Sequence, residues 1–287
     1  MRDGWNGSVP PEPRVLGAGD WLRVVRRGGP LLALLVVCFP VLLVLRVPEG
    51  LIWGLHRPLT PGITRFVCIW ACRLIGLRRE VRGTPMRAPG AYVANHVSWL
   101  DIFVLNAGKR VYFVAKSEVR GWGGIGWLAR GTGTVFIRRD RREAVAQTRL
   151  FEDRLIAGHH LLFFPEGTST DGRQVLNFKP TLFEAFLSKR LRDRLRVQPV
   201  TLRYSAPQGV DDRFYGWWGD MEFGPSLLQI LAAPRQGAVT VIYHPPLPVA
   251  AGLDRKHLAR QAEAAVRFGL VHGTPMPASV RADAGPV

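Results

Sequence analysis

Ala91-Tyr92-Val93-Ala94-Asn95-His96-Val97-Ser98-Trp99-Leu100-Asp101 is the stretch on which the reading of this chain turns. Ala91 to Ala94 read as a buried strand, and Ser98 is a good N-cap for a helix beginning at Trp99. The turn between them also sets up chemistry. On one unbroken helix His96 and Asp101, five residues apart, would lie on different faces, so the break at Ser98 is what lets the imidazole fold back toward the carboxylate. Asp101 would then fix the ring tautomer and raise the basicity of the other nitrogen, which could take a proton from an alcohol. The plainer alternative is a capping box, S-x-x-D, from Ser98 and Asp101, with His96 a satisfied loop histidine.

Working outward, short apolar runs alternate with helical patterns. Val111 to Ala115, Thr134 to Ile137, Leu161 to Phe164, Val197 to Leu202 and Val239 to Tyr243 read as strands. Helices are predicted at Leu100 to Asn106, Arg142 to Ala157, Thr181 to Ser188 and Arg255 to Val271. The alternation predicts an α/β domain with a central, mostly buried sheet flanked by helices, where sites collect at strand ends. With 287 residues, 47% of them hydrophobic, the chain can bury one substantial core. The expected division is a flexible tail over 1–20, rich in proline and glycine, a membrane-associating helical hairpin or anchor over 21–80, the α/β domain over 81–273, and a loose tail over 274–287.

The membrane expectation rests on Leu31 to Leu45, fifteen residues without a charge, interrupted by Pro40 and flanked by Arg23, Arg26, Arg27 and Arg46. That is short of the roughly 20 apolar residues of a spanning helix. No small-residue cleavage site follows, so the segment is expected to stay on the protein. A second apolar stretch, Ile63 to Leu77, ends in Arg78 and Arg79, after a proline-rich turn from Pro48 to Pro61. Arginine at the ends of both stretches favours a hairpin lying in one leaflet over a two-pass anchor. A single span from Leu31, and two core helices of a soluble domain, are the alternatives.

A formal net charge of +17 attracts something anionic: phospholipid head groups, nucleic acid or a phosphorylated substrate. No nucleic-acid recognition motif appears, and nucleic acid is not an expected partner. Cys38, Cys68 and Cys72 form no metal-ligand or disulfide pattern and read as small apolar residues in a reducing compartment.

Three further patterns carry candidate chemistry. Phe163-Phe164-Pro165-Glu166-Gly167-Thr168 ends a strand, and Pro165 is expected to present Glu166 rather than bury it, as an acceptor for substrate hydroxyls, an orienter of site groups or an ordinary turn carboxylate. Gly133-Thr134-Val135-Phe136-Ile137-Arg138-Arg139 delivers two guanidinium groups at a strand end, on opposite faces, either as a phosphate clamp or as a solvated end. Gly121-Trp122-Gly123-Gly124-Ile125-Gly126 matches G-x-G-x-x-G only formally, since it follows the second strand of the domain and lacks a well-placed acid. No serine-hydrolase elbow and no P-loop occurs.

In this order the blocks resemble the glycerolipid acyltransferase family, which includes 1-acylglycerol-3-phosphate acyltransferases, over about Val81 to Tyr204. His96 and Asp101 match its H-x4-D motif; Gly133, Phe136, Ile137 and Arg139 match G-x-x-F-I-x-R; Phe164 to Thr168 match F-P-E-G-T; and Pro199 matches a fourth block. The resemblance implies that His96 is the general base, that Asp101 orients it, and that Arg139, Glu166, Gly167, Thr168, Gly133 and Phe136 form the acceptor site. It implies no metal or organic cofactor. The implied partners are a lysolipid acceptor, an acyl-CoA or acyl carrier protein donor and membrane lipids, at the cytoplasmic face of the membrane. Ser169, where an arginine commonly follows F-P-E-G-T, and Phe178-Lys179-Pro180-Thr181 look more like the branch that acylates lyso-ornithine lipid. A basic nucleic-acid-binding protein, or a catalytically silent membrane protein of this fold, are the rival readings.

Overall fold

A computed structural model describes residues 5–137, 144–191, 193–250 and 252–277. Two helices lead: α1 (Ala18–Trp53) and α2 (Thr60–Ile75). Then come β1 (Arg78–Arg82), β2 (Gly90–Ala94), α3 (Asp101–Gly108), β3 (Tyr112–Lys116), α4 (Gly123–Thr132) and β4 (Val135–Ile137). The chain continues through α5 (Ala144–Ile156), β5 (His160–Phe163), β6 (Arg196–Ser205), α6 (Phe223–Ala232), β7 (Ala238–Tyr243), β8 (Leu247–Pro248) and α7 (Arg255–His272). Short 3₁₀ segments occupy Ser117–Gly121 and Pro180–Leu187, the latter where an α-helix was expected.

The strands form one mixed sheet in the order β1-β7-β6-β2-β5-β3-β4, with β8 on β6. β6, β2, β5, β3 and β4 run parallel, so their carboxyl ends share one edge. β7 is antiparallel to β6 and carries β1 beside it. Every residue of β2 is buried, which is why its sequence is an unbroken apolar run: helices cover both faces of a central parallel strand. Tyr92 and Ala94 face a core shared with α2, α3 and α6, whereas Ala91 and Val93 face one shared with α7 and the Pro180–Leu187 segment. Edge strand β1, Arg-Arg-Glu-Val-Arg, was not expected; its charges suit an edge that must not pair further. Of the G-x-G-x-x-G glycines, Gly126 serves packing. A Cβ on Gly126 would come within 2.4 Å of the Arg120 carbonyl, so α4 can close onto the preceding 3₁₀ turn only with glycine there.

The N-terminal helices are not a separate appendage. Val24, Leu31, Cys68, Ala71, Cys72 and Ile75 belong to the same core as Tyr92. α1 runs unbroken for 36 residues with Pro30, Pro40 and Pro48 inside it, where Pro40 and Pro48 were expected to interrupt the segment. Each proline costs a backbone hydrogen bond, but the inner side of α1 is held along its length. Arg23 Nε donates to Ala232 O at 2.7 Å, and Arg27 Nη1 donates to Leu231 O and Ala233 O at 2.8 and 2.6 Å, covering the last carbonyls of α6. Arg46 Nη1 donates to Gly131 O near the end of α4, and Glu49 accepts from Leu59 N and Thr60 N at 2.6 and 3.0 Å at the start of α2. Arg23, Arg27 and Arg46, read from sequence as flanks of an apolar run, therefore cap other helices. The outer face shows Leu32, Val36, Val37, Val44, Val47 and Leu51 at helical spacing. Among the described residues α1 is the one helix long and apolar enough to cross a membrane, and its exposed apolar face suits membrane association.

The tails are partly ordered too. Residues 5–17 lie along the domain, with Trp218 Nε1 donating to Ser8 O at 2.9 Å and Arg213 Nη1 to Val9 O at 3.1 Å. Met276 is buried and its N–H donates to His244 Nδ1 at 3.0 Å.

Candidate active site

The site gathers at the carboxyl ends of β2, β5 and β6. Asn95, just past β2, accepts from Leu202 N at 2.8 Å and donates to Leu202 O at 2.9 Å, tying the strand end to β6. The chain then turns through His96, Val97 and Ser98, and α3 begins at Asp101, two residues later than expected. Asp101 is fully buried. Its Oδ2 meets His96 Nδ1 at 2.8 Å and accepts from Val97 N at 2.8 Å and Ser98 N at 3.0 Å. Its Oδ1 accepts from the Tyr204 hydroxyl at 2.7 Å. One carboxylate therefore closes the turn ahead of α3 and holds the histidine. Asp101 lies at the start of α3, where the helix dipole favours its negative charge. Burial, then the charge of Asp101, pushes the Tyr204 phenol well above its ordinary value, so it stays a donor.

His96 is held from every side except one. Its ring stacks on Phe164 with centroids 4.0 Å apart and planes 11° from parallel. Its N–H donates to Glu166 Oε1 at 2.7 Å, and its carbonyl accepts from Thr170 N at 3.0 Å. Nδ1 is taken by Asp101, and among the described residues Nε2 has no hydrogen-bond partner, on a side chain that remains 21% exposed. That is the arrangement a general base requires: one nitrogen oriented, the other available.

Glu166 departs from expectation. It is buried, 2% exposed, because the segments at His96 and Leu176 fold over it. Its two oxygens accept from His96 N and Leu176 N, each at 2.7 Å. Burial pushes the carboxyl up from 4.5 to about 8, with the charge of Asp101 pushing the same way and the two backbone N–H groups pulling back. Its geometry is that of an orienter of the His96 turn. Gly167 has φ +76°, and a Cβ there would meet Lys179 Nζ at 2.6 Å, so the missing side chain lets Lys179 lie across the loop. Thr168 Oγ1 accepts from Trp5 N at 3.3 Å, and Ser8 Oγ donates to Asp171 Oδ2 at 3.1 Å: the N-terminal segment, expected to be structureless, crosses the loop that follows Glu166.

His96, Asp101, Glu166, Gly167 and Thr168 are thus brought together. Gly133 is not among them: it closes α4 ahead of β4, at the amino end of that strand, with φ +87° and its carbonyl accepting from Arg154 Nη2 at 3.3 Å. Phe136 is half-buried within β4, opposite Ala115. Arg138 and Arg139 lie outside the described residues. Sequence reasoning missed Tyr204, 103 residues from its partner Asp101, and Lys179 as a cation beside the loop.

Residues 78–203 match the family model described as Acyltransferase. Over 269 residues the chain is 54% identical to the lyso-ornithine lipid O-acyltransferase of Rhodobacter capsulatus, an alignment covering 93% of this chain and 96% of that protein. The chain belongs to the acyltransferase family. The lyso-ornithine lipid O-acyltransferase of Pseudomonas aeruginosa is 35% identical over 260 residues, 91% of this acyltransferase and 98% of that one. Among solved structures, the 1-acyl-sn-glycerophosphate acyltransferase of Thermotoga maritima shares the fold, with a TM-score of 0.60 at 20% identity over 88% of this chain and 95% of that one.

Proposed function

We propose that this acyltransferase esterifies the free hydroxyl of lyso-ornithine lipid with an acyl group from a thioester donor, with His96 as the base. The observation that carries the mechanism is the 2.8 Å contact between His96 Nδ1 and Asp101 Oδ2, which leaves Nε2 as the acceptor of a proton. The names of the two relatives aligned over nine-tenths of the chain support the acceptor. Nε2 takes the hydroxyl proton as the oxygen attacks the thioester carbonyl. The tetrahedral oxyanion collapses, the carbon–sulfur bond breaks, and the imidazolium returns the proton to the departing thiolate. Ester and free thiol result without an acyl-enzyme intermediate. Asp101, with Tyr204 behind it, holds the ring and stabilises its charge. Glu166 acts through the turn, fixing the backbone of His96, while Thr168 and Lys179 form the side that meets the acceptor head group; Arg139 is assigned to that head group from its sequence motif alone.

The enzyme works at the cytoplasmic face of a membrane, with α1 lying along the surface. Its bonds to the domain run from Arg23 to Arg46, a span of about 35 Å at 1.5 Å per residue. A hydrocarbon core is about 30 Å thick, so a helix bonded to a water-facing domain over that length is laid on a leaflet and not threaded through it.

Purified protein assayed with lyso-ornithine lipid and with 1-acylglycerol-3-phosphate, each with acyl-CoA and with acyl carrier protein as donor, tests the reading. Faster turnover of lyso-ornithine lipid is expected with at least one donor. Turnover of 1-acylglycerol-3-phosphate alone would reject the acceptor assignment and leave the His96 mechanism standing.

A further inference from the structure

At the opposite end of the sheet a cavity of about 560 Å³ opens between the α1–α2 turn, the end of α3 and the starts of β3 and β5. Arg57, Arg65, Lys109, Arg110, Tyr112 and His159 are among the residues that line it. Behind it lie Arg46 and Arg154. None of these cations is ion-paired among the described residues, and buried donors are left over. Arg57 Nη1, Arg46 Nε, Arg154 Nε and the Tyr112 hydroxyl have no hydrogen-bond partner. Arg154 is 8% exposed, sits over the Tyr112 ring at 5.1 Å, and spends its other nitrogens on His159 Nδ1 at 3.2 Å and Gly133 O at 3.3 Å. Arg57 reaches the same place, since a Cβ on Gly133 would come within 2.9 Å of its Nη1.

Leaving buried charged donors unmatched is costly, and like charges this close repel. The fold relieves it from within only in part, through the charge of Glu49. Glu49, the carboxylate whose charge reaches Arg46 and Tyr112, gives its oxygens to Leu59 N, Thr60 N and the Thr60 hydroxyl. His159 is fixed neutral: because Arg154 donates to Nδ1, the ring proton is on Nε2, which donates to Leu55 O at 2.7 Å. Burial and then the charge of Arg154 hold it near 4, so it adds no positive charge. We infer that this pocket is a binding site for a phosphate-bearing anion, separate from the acyl-transfer centre.

A tetrahedral oxyanion offers several oxygens at different angles, which suits a lining of Arg57, Arg65, Lys109 and Arg110 with unmatched donors on Arg57 and Tyr112 better than a single-atom halide does, and the charges of Arg46 and Arg154 stand behind that lining. Two sources share that chemistry: a free phosphate, or the head group of an anionic phospholipid. Exposed Leu51, Ile52, Trp53, Leu55 and Leu59 adjoin Arg57 in the chain and would put lipid beside the pocket mouth.

The test uses full-length protein in detergent, titrated with inorganic phosphate against chloride at equal ionic strength while the unfolding temperature is read. Phosphate is expected to raise that temperature saturably by several degrees. Arg57→Gln is expected to abolish the rise and to unfold no earlier than the parent in chloride, since it removes one charge from a self-repelling group. Arg110→Gln, on the exposed rim, is expected to raise the half-saturating phosphate concentration at least threefold, and serves even if Arg57→Gln fails to fold. Flotation with phosphatidylcholine vesicles, with or without phosphatidylglycerol, then separates the sources. A preference for anionic vesicles that phosphate competes away supports a lipid head group; a phosphate response without that preference supports a free phosphate. No phosphate response beyond chloride, or an undiminished one in Arg110→Gln, overturns the proposal.

Discussion

The two ends of the sheet treat charge in opposite ways. At the carboxyl ends of β2, β5 and β6, Asp101 has four hydrogen-bond partners, Glu166 has two, and His96 keeps one nitrogen open. At the amino ends of β3 and β5, arginines crowd together with donors to spare. The first end is complete except for the atom that must react. The second is incomplete without a molecule from outside. The comparison separates two meanings of a charged cluster in a basic protein: one preorganised for a reaction, the other set for capture.

The comparison breaks most readily at His96. His96→Ala is expected to lower turnover by about 10²–10⁴-fold, the range of general acid–base contributions, with little change in unfolding temperature because the side chain is partly exposed. Retention of more than a tenth of the rate in steady-state assays would remove the dyad from the mechanism. Glu166→Ala comes next. It removes both acceptors and leaves the buried N–H groups of His96 and Leu176 unmatched, so a loss of about 1–3 kcal/mol in urea unfolding is expected, together with slower turnover as the His96 backbone loosens. Full stability would show that the two 2.7 Å bonds carry no weight. Tyr204→Phe removes one bond to a buried carboxylate and should cost turnover about tenfold, on the scale of about 1.5 kcal/mol for a charged hydrogen bond, without raising KM for either substrate.

The subtlest difference is in pH. The folded Glu166 carboxyl, at about 8, holds its proton more tightly than the unfolded one at 4.5, so its contribution is full below about pH 4.5 and is lost as pH climbs toward about 8. His160, beside the arginine pocket, runs the other way. Burial and then the charge of Lys109 hold it near 4 against 6.5, so stability is lost as pH falls from about 6.5 toward about 4. Unfolding temperature measured across pH should therefore fall on both sides. Glu166→Gln should flatten the alkaline limb, and His160→Gln should shallow the acid one, to which His159, also held near 4, contributes over the same range; an exchange of those effects would contradict the assignment.

What the sequence disclosed was local. The β2 run, the Ser98 break and the return of His96 to Asp101 need only neighbours, and all are present. Glu166 was placed in the right loop but on the wrong side of the surface, because what buries it is backbone 70 residues earlier and 10 later. α4 and α6 escaped the periodicity, α4 because its first turn is Gly-Gly-Ile-Gly, poor in helix propensity, with Gly126 needed for close packing. The inward turn of Arg27 and Arg46 was illegible for a related reason: the carbonyls they cap lie more than 80 residues away in sequence.

Those caps bear on how the enzyme can be handled. Removing residues up to Trp53 to free the protein from detergent would also take away the donors that close the ends of α4 and α6 and the carboxylate that opens α2. The greasy helix is a strut as much as a foot on the bilayer. A water-compatible version is better sought by replacing outward-facing Leu32, Val36, Val44 and Leu51 with polar side chains while every inward residue stays.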